Sequence, residues 1–316
     1  MKRKILIAGA GQLGSRYLQG LSKITEPLDI HVFDLSAESL TRAEQRWDEM
    51  KPATGHETHF STALSLVPKT MDLAIVATTA DVRTALVSNI VEHSDIRCWV
   101  LEKVLTQSAC DIVDLQNMLG VEKSAWVNTP MHLWSLYRKI RDLYPAGTAI
   151  DASFEGFRGL ACNAIHYIDF ASRWNGAPVT KVDASNLQSQ WYYAKRDGFY
   201  EIDGEIFVGF ADDSRLRLSS DRSKLGYKVQ LRINGDEWQV YESEGIAKAA
   251  DGRKIEGSTE FQSQLTAPMV HAIFAGTTCG LPTLAESAQQ HTMFLNSLLE
   301  HWNRHMPNKL ERLPIT

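Results

Sequence analysis

The chain has 316 residues, 44% apolar and 22% charged, with a formal net charge of −5. This length suits two domains with separate cores, and the ordinary mix excludes a largely disordered chain. The acidic balance argues against a general phosphate-backbone binder, which needs a basic face, and leaves room only for a local basic groove, so no nucleic-acid partner is expected.

Four cysteines, at 98, 110, 162 and 279, show neither CxxC spacing nor disulfide density. They point to a reducing, cytoplasmic location without structural zinc. Basic residues at 2–4 precede Ile5–Gly11, as in a signal peptide, but that apolar run is short and ends in a glycine pattern. A buried strand explains it better. Phe261–Ala285 lacks charged residues but carries His271 and two prolines, which makes a poor membrane span, so no membrane partner is expected.

In chain order, Lys4–Ala8 reads as a short buried strand and Gln12–Lys23 as a helix with Leu13, Tyr17, Leu18 and Leu21 on one face. Ile30–Asp34 is the next strand, and Leu40, Ala43, Trp47 and Met50 recur at helical spacing. Strands are expected at Asp72–Thr78, Cys98–Leu101 and Ser124–Asn128, with a helix marked by Val82, Leu86 and Ile90 and another at Gln107–Leu119. Strands alternating with helices imply right-handed crossovers and a doubly wound parallel sheet. Leu133–Tyr144 and Leu160–Trp174 read as helices. Short strands follow at Val182–Gln190, Glu205–Phe210, Arg215–Ser219, Lys228–Ile233 and Glu237–Tyr241, the last two joined by the hairpin signal Asn234-Gly235. Thr283–Asn303 closes the chain as an amphipathic helix. The expected class is α/β: residues 1–127 form a Rossmann domain that binds NAD(P), and 128–316 a substrate-binding and oligomerisation α+β domain with a mostly antiparallel sheet.

Gly9-Ala-Gly11-Gln12-Leu13-Gly14 follows the first strand and opens the first helix. Gly9 permits a tight turn, Gly11 a close backbone approach to a pyrophosphate, and Gly14 close helix–strand packing, while the helix N-terminus offers free N–H groups to phosphate. Asp34 ends the second strand twenty residues after Gly14, where a carboxylate accepts ribose hydroxyls. That carboxylate repels a 2′-phosphate, and no arginine follows at Leu35 or Ser36, so NAD is expected in preference to NADP.

Glu102-Lys103 ends a strand at the edge where open α/β sheets place their ligands. With the glycine fingerprint, this pair resembles the Glu-Lys-Pro motif of the Gfo/Idh/MocA oxidoreductases, which include glucose–fructose oxidoreductase and inositol dehydrogenases. Ala77-Thr78-Thr79 resembles the family's Ala-Thr-Pro turn, Val127-Asn128 the strand leading into its second domain, and Asn163 to Asp169 its Asp-x-Gly-x-His-x-x-Asp helix. Gly280 to Ser287 resembles the segment that opens its last helix. The resemblance implies a nicotinamide-dependent enzyme acting on a carbinol of a sugar, cyclitol or nucleotide-linked sugar, assembled as a homodimer or homotetramer.

By position, the resemblance makes Lys103 and His166 the catalytic pair, with Gly9, Gly11, Gln12, Leu13, Gly14, Asp34, Thr78, Thr79, Glu102 and Lys103 holding the cofactor. Lys103, Asn128, Asn163 and His166 would meet the substrate. A neutral imidazole can take a hydroxyl proton and an ammonium can stabilise the developing oxygen charge, and a lysine in such a cleft is expected to have a lowered pKa. Three positions depart from the pattern: Cys162 where the family has a proton-sharing Asp, Val104 for the proline, and Arg83 where a histidine is common. Cys162 reads as a packed residue, and Trp191, Tyr192 and Tyr193 as sheet packing or an oligomer interface. His56, His59 and His132 show no ligand spacing, so no metal is assigned. Two rival readings remain at this level: imine or enone reduction on the same fold, and a catalytically silent NAD(P)-binding sensor or assembly protein.

Overall fold

The computed structural model describes residues 2–52, 55–120, 124–156, 159–224 and 226–316. They divide into two compact units: 1–106, 111–128 and 260–285 form the first, and 107–110, 129–259 and 286–316 the second.

The first unit alternates β1 (Arg3–Ala8), α1 (Gln12–Leu21), β2 (Leu28–Phe33), α2 (Ala37–Glu49), β3 (Glu57–Ser61), β4 (Thr70–Val76), α3 (Ala80–His93), β5 (Asp95–Glu102), α4 (Ala109–Leu119) and β6 (Ser124–Asn128). The strands make one parallel sheet in the order β3-β2-β1-β4-β5-β6. Near-continuous apolar strands such as Ile5–Ala8 and Leu73–Val76 are fully buried, as expected of a sheet covered on both faces. The order reverses between β1 and β4, which is the switch point where such sheets open a ligand crevice at their carboxyl ends. β3, with the sequence ETHFS, is too polar to announce itself, and it joins the sheet only through pairing with β2.

In the second unit the expected helix 133–144 is a 3₁₀ turn, Pro130–Leu133, followed by α5 (Ser135–Arg141). Then come β7 (Ile150–Glu155), α6 (Leu160–Asn175), β8 (Val179–Leu187), β9 (Tyr192–Tyr193), β10 (Tyr200–Glu201), β11 (Gly204–Phe210), β12 (Arg215–Ser220), β13 (Lys228–Ile233), β14 (Asp236–Tyr241), β15 (Ile246–Ala249) and β16 (Lys254–Glu256). The large sheet has the order β16-β15-β14-β13-β7-β12-β11-β8. It is not a simple meander: β7 inserts between β12 and β13, parallel to the first and antiparallel to the second. A lone short strand far upstream of its partners carries no local cue for that insertion. The expected hairpin at Asn234-Gly235 is present, with both residues at positive φ as a type I′ turn requires.

α7 (Gln262–Ala275) returns to the first unit and packs on α1. The approach is so close that a Cβ on Gly20 would lie 2.5 Å from Thr266 Cβ. α8 (Leu284–His305) follows, mostly within the second unit. Among the described residues no helix is long and apolar enough to cross a membrane, and all four cysteines are free thiols.

Candidate functional site

The carboxyl ends of β1, β2, β4, β5 and β6 bring together most of the first unit's expected site residues. Gly9 turns out of β1 at φ +103°, and a Cβ there would press on Ala77 and Thr78 at 3.0–3.1 Å. Gly14 is fixed by packing, because its Cβ would fall 1.8 Å from the Gly9 carbonyl oxygen. Gly11 is different: nothing lies within 4 Å of a Cβ placed on it. It caps the N-terminus of α1 without a side-chain acceptor, with Gln12 exposed and Leu13 half-buried behind it. The first-turn N–H groups of that helix are the donors an anion would meet.

Asp34 just beyond β2 ties the loop down. Its Oδ2 accepts the Ala10 N–H at 2.7 Å and its Oδ1 accepts that of Ser36 at 2.8 Å. A carboxylate oxygen accepts more than one hydrogen bond, so hydroxyl donors can still be received. Leu35 beside it is 83% exposed, an apolar side chain left in the open at the crevice. Across the switch point, Thr79 caps α3, and Thr78 Oγ1 is buried with no hydrogen-bond partner. An open glycine cradle, an orphaned hydroxyl and an anchored carboxylate are what a dinucleotide would fill, so these residues fit that group.

β5 ends in a buried polar knot. Glu102 is 2% exposed, accepts hydrogen bonds from Tyr17 and from Asn128 Nδ2 at 2.6 Å, and is opposite Asn128 in register. Burial pushes its carboxyl above the ordinary value, only partly offset by these donors and by the nearby charges of Lys103 and Arg83. Asn128 also donates to Gln262 Oε1 at 2.8 Å, so both hydrogens of its amide are directed into the protein. These two bonds hold Asn128 beside the end of β5, at Glu102, the residue before Lys103. Lys103 itself is half-buried, and its peptide bond to Val104 is cis although the proline of the resembled motif is missing.

Arg83 is fully buried on α3 and donates to three backbone carbonyls: Thr78, Val104 and, at 2.7 Å, Leu105. Burial lowers its pKa to about 10, opposed mainly by Glu102, and it remains a cation at neutral pH. It fastens the segment after Lys103 to the turn after β4. Tyr17, Gln262 and the clamp made by Arg83 were not legible as functional. Tyr17 sits in the apolar stripe of α1, and only the fold brings it to Glu102.

In the second unit, α6 carries Cys162, Asn163 and His166 on a half-buried stripe, while Asp169 is fully buried. Asp169 faces His132, with Oδ2 at 3.5 Å from Nδ1. Glu201 on β10 is a residue the sequence did not disclose. Its carboxylate accepts the N–H groups of Ala161 at 2.9 Å and Cys162 at 3.1 Å, capping the start of α6. The Cys162 thiol also donates to it, while burial holds its carboxyl above the ordinary range. A carboxylate thus stands behind position 162 even though none is encoded there.

The first unit is a doubly wound parallel sheet with a glycine loop at its switch point, the second carries a mostly antiparallel sheet, and solved structures of oxidoreductases share this fold. An oxidoreductase from Agrobacterium radiobacter, solved with NAD+, L-tartaric acid and magnesium, matches with a TM-score of 0.73 and 12% identity over 96% of this chain and 97% of that one. UDP-N-acetylglucosamine 3-dehydrogenase from Acidithiobacillus ferrooxidans matches with a TM-score of 0.66 and 13% identity over 94% and 96%. Scyllo-inositol dehydrogenase from Lactobacillus casei, with NAD(H) and scyllo-inositol bound, gives 0.66 and 16% over 96% and 98%. No family model matches the sequence, and neither does any curated protein. The shared property is therefore the fold.

Proposed function

We propose that the protein is an NAD-dependent dehydrogenase acting on a secondary hydroxyl of a sugar, cyclitol or nucleotide-linked sugar. The observation that carries this reading is the open space over Gly11, walled by the unbonded Thr78 hydroxyl and the anchored Asp34. Gly9, Gly11, Gln12, Leu13, Gly14, Thr78 and Thr79 would hold the pyrophosphate and nicotinamide portions. Asp34 would receive the ribose hydroxyls, and Leu35 would lie against the adenine. When bound, NAD supplies the hydride acceptor.

The chain's own residues supply the proton chemistry. Lys103 stabilises the substrate oxygen as charge develops and His166 takes its proton; in the reverse direction both donate. Asn163 orients a neighbouring hydroxyl. Glu102, Asn128 and Arg83 fix the backbone around Lys103. The sugar-type substrate class is supported by the neighbours that act on UDP-N-acetylglucosamine and bind scyllo-inositol. The large sheet of the second unit supports a homodimer or homotetramer. β13 alternates exposed and buried residues, leaving one face open as a hollow of about 590 Å³ lined by Asp151, Glu155, Arg215, Arg217 and Arg232. Charges of both signs on one face can pair with a second copy. The free thiols suit a reducing cytoplasm.

The test is a panel of sugars, cyclitols and nucleotide sugars with NAD, followed at the reduced-nicotinamide absorbance band. One or more should be oxidised, and Lys103→Ala should lower kcat by about 10²–10⁴-fold with little change in NADH affinity. Unchanged turnover in that variant removes Lys103 from the mechanism. Tight NADH binding with no substrate across the panel favours a sensor, a reading to which Cys162 lends support by replacing the acid of the resembled motif.

A further inference from the structure

On the face of the first sheet away from α1 and α2, three side chains converge that no reading of the cofactor crevice uses. His31 on β2 and His59 on β3 are partners in register, and Asp29, two residues before His31, projects to the same face. Asp29 Oδ1 lies 2.9 Å from His31 Nε2 and 3.3 Å from His59 Nε2, and the three candidate ligand atoms all fall within 4.8 Å of one another. The two imidazoles lie face to face with ring centres 4.5 Å apart.

The fold leaves this spot reachable. The crossover from β3 to β4, residues 62–69, contains only the 3₁₀ turn Leu64–Leu66, so no full helix covers this corner of the sheet. His31 and Asp29 are largely buried while His59 is about half exposed. Asp29 Oδ1 and His31 Nε2 are enclosed and complete no well-directed hydrogen bond despite their proximity. Two polar atoms so placed want a shared partner. In register beside Asp29 stand Lys4 on β1 and Glu57 on β3, and Glu57 is engaged by Lys2 at 2.6 Å. His59 nonetheless keeps about half of its side chain exposed to solvent.

We propose that Asp29, His31 and His59 bind a divalent transition-metal ion of the zinc class. Two imidazole nitrogens and one carboxylate oxygen suit zinc and its first-row neighbours better than magnesium or calcium, which prefer oxygen alone. Tetrahedral zinc with bonds of about 2.0–2.2 Å sets its ligand atoms about 3.3 Å apart. The two measured separations are already close to that, and rotation of the exposed His59 ring brings in the third. Water fills the fourth position on the open side. The ion would tie the edge strand β3 to β2, the strand whose end presents Asp34.

The proposal stands apart from the dehydrogenase reading and is tested on the chelator-treated full chain with Zn²⁺ or Co²⁺ alone. The expected result is one equivalent bound, with the intense visible band of four-coordinate Co²⁺ and a melting temperature that rises with Zn²⁺. His59→Ala and the shape-preserving Asp29→Asn should each weaken binding by about 10²-fold, while His305→Ala, an exposed histidine elsewhere, should not. His59 is exposed, so its variant keeps the fold, which circular dichroism checks. Failure of the wild-type chain to bind at 100-fold excess overturns the proposal, as does equal binding by the His59 and Asp29 variants, which would mean an adventitious ion only.

Discussion

Replacing Arg83 by methionine tests whether a buried cation holds the backbone around Lys103. The guanidinium is fully buried and bonds three carbonyls on two different loops. A hydrogen bond to a charged group contributes about 1.5–3 kcal/mol, and three on one side chain are not additive. Methionine also strips Glu102 of a nearby compensating cation, and breaking a buried ionic arrangement costs about 3–5 kcal/mol. A unit of this size shifts its melting point by about 2–4 °C per kcal/mol, so calorimetry should show a fall of about 6–20 °C. Arg83→Lys keeps the charge but reaches fewer carbonyls, and should recover part of the loss. At a temperature where the methionine variant is folded, kcat should fall about tenfold or more while NADH affinity changes less, because the displaced segment adjoins Lys103. A variant that melts within 2 °C of wild type with unaltered turnover would show that the three carbonyls are satisfied without Arg83, and its positioning role would be withdrawn.

Wild-type kcat/KM should favour NAD over NADP, and Asp34→Ser should raise the NADP to NAD ratio by at least about tenfold by removing a charge that faces the 2′-position. Equal use of both cofactors by the wild type contradicts this. Burial holds Glu102, Glu201 and Glu242 above the ordinary carboxyl value of 4.5. A raised folded pKa means that the stability each contributes is full below the unfolded value and is lost as pH rises through the folded one. Glu242→Gln, which can still accept from Tyr137 and Tyr227, should therefore show a smaller drop in melting temperature between pH 5 and pH 8 than wild type; an identical drop refutes the assignment. Light scattering should give a mass of two or four chains, and Arg217→Glu, which disrupts the ion pairs with Glu155 and Glu205 on the open sheet face, should shift it toward one.

What could be read from the residues alone follows from the range of the interactions. The glycine fingerprint is local: each glycine answers to a neighbour within a few residues or to the strand beside it, so Gly9, Gly11 and Gly14 carry their reasons in their spacing. Buried parallel strands are legible for the same reason, since Ile5–Ala8 and Leu73–Val76 are apolar throughout. β3 and β7 were not, because one is polar and the other is placed by partners sixty or more residues downstream. The strand ladder, which exists only once the chain is folded, also explains the histidines. His31 and His59 are twenty-eight positions apart and look scattered, yet parallel pairing sets them side by side.

Glu201 follows the same rule with a consequence for chemistry. Position 162 holds a thiol where the resembled helix carries an acid, which on sequence argues for a lost proton relay. The fold brings a carboxylate to that thiol from β10, through Ala161 and Cys162 backbone N–H groups at the opening of α6. A carboxyl raised by burial can hold or release a proton closer to neutrality than an exposed one. If it assists His166, Glu201→Gln should remove the upper-pH portion of the kcat profile while leaving NADH affinity intact, because Gln keeps one acceptor for the helix N-terminus but cannot carry a proton. A profile that merely scales down at every pH would assign Glu201 to capping alone.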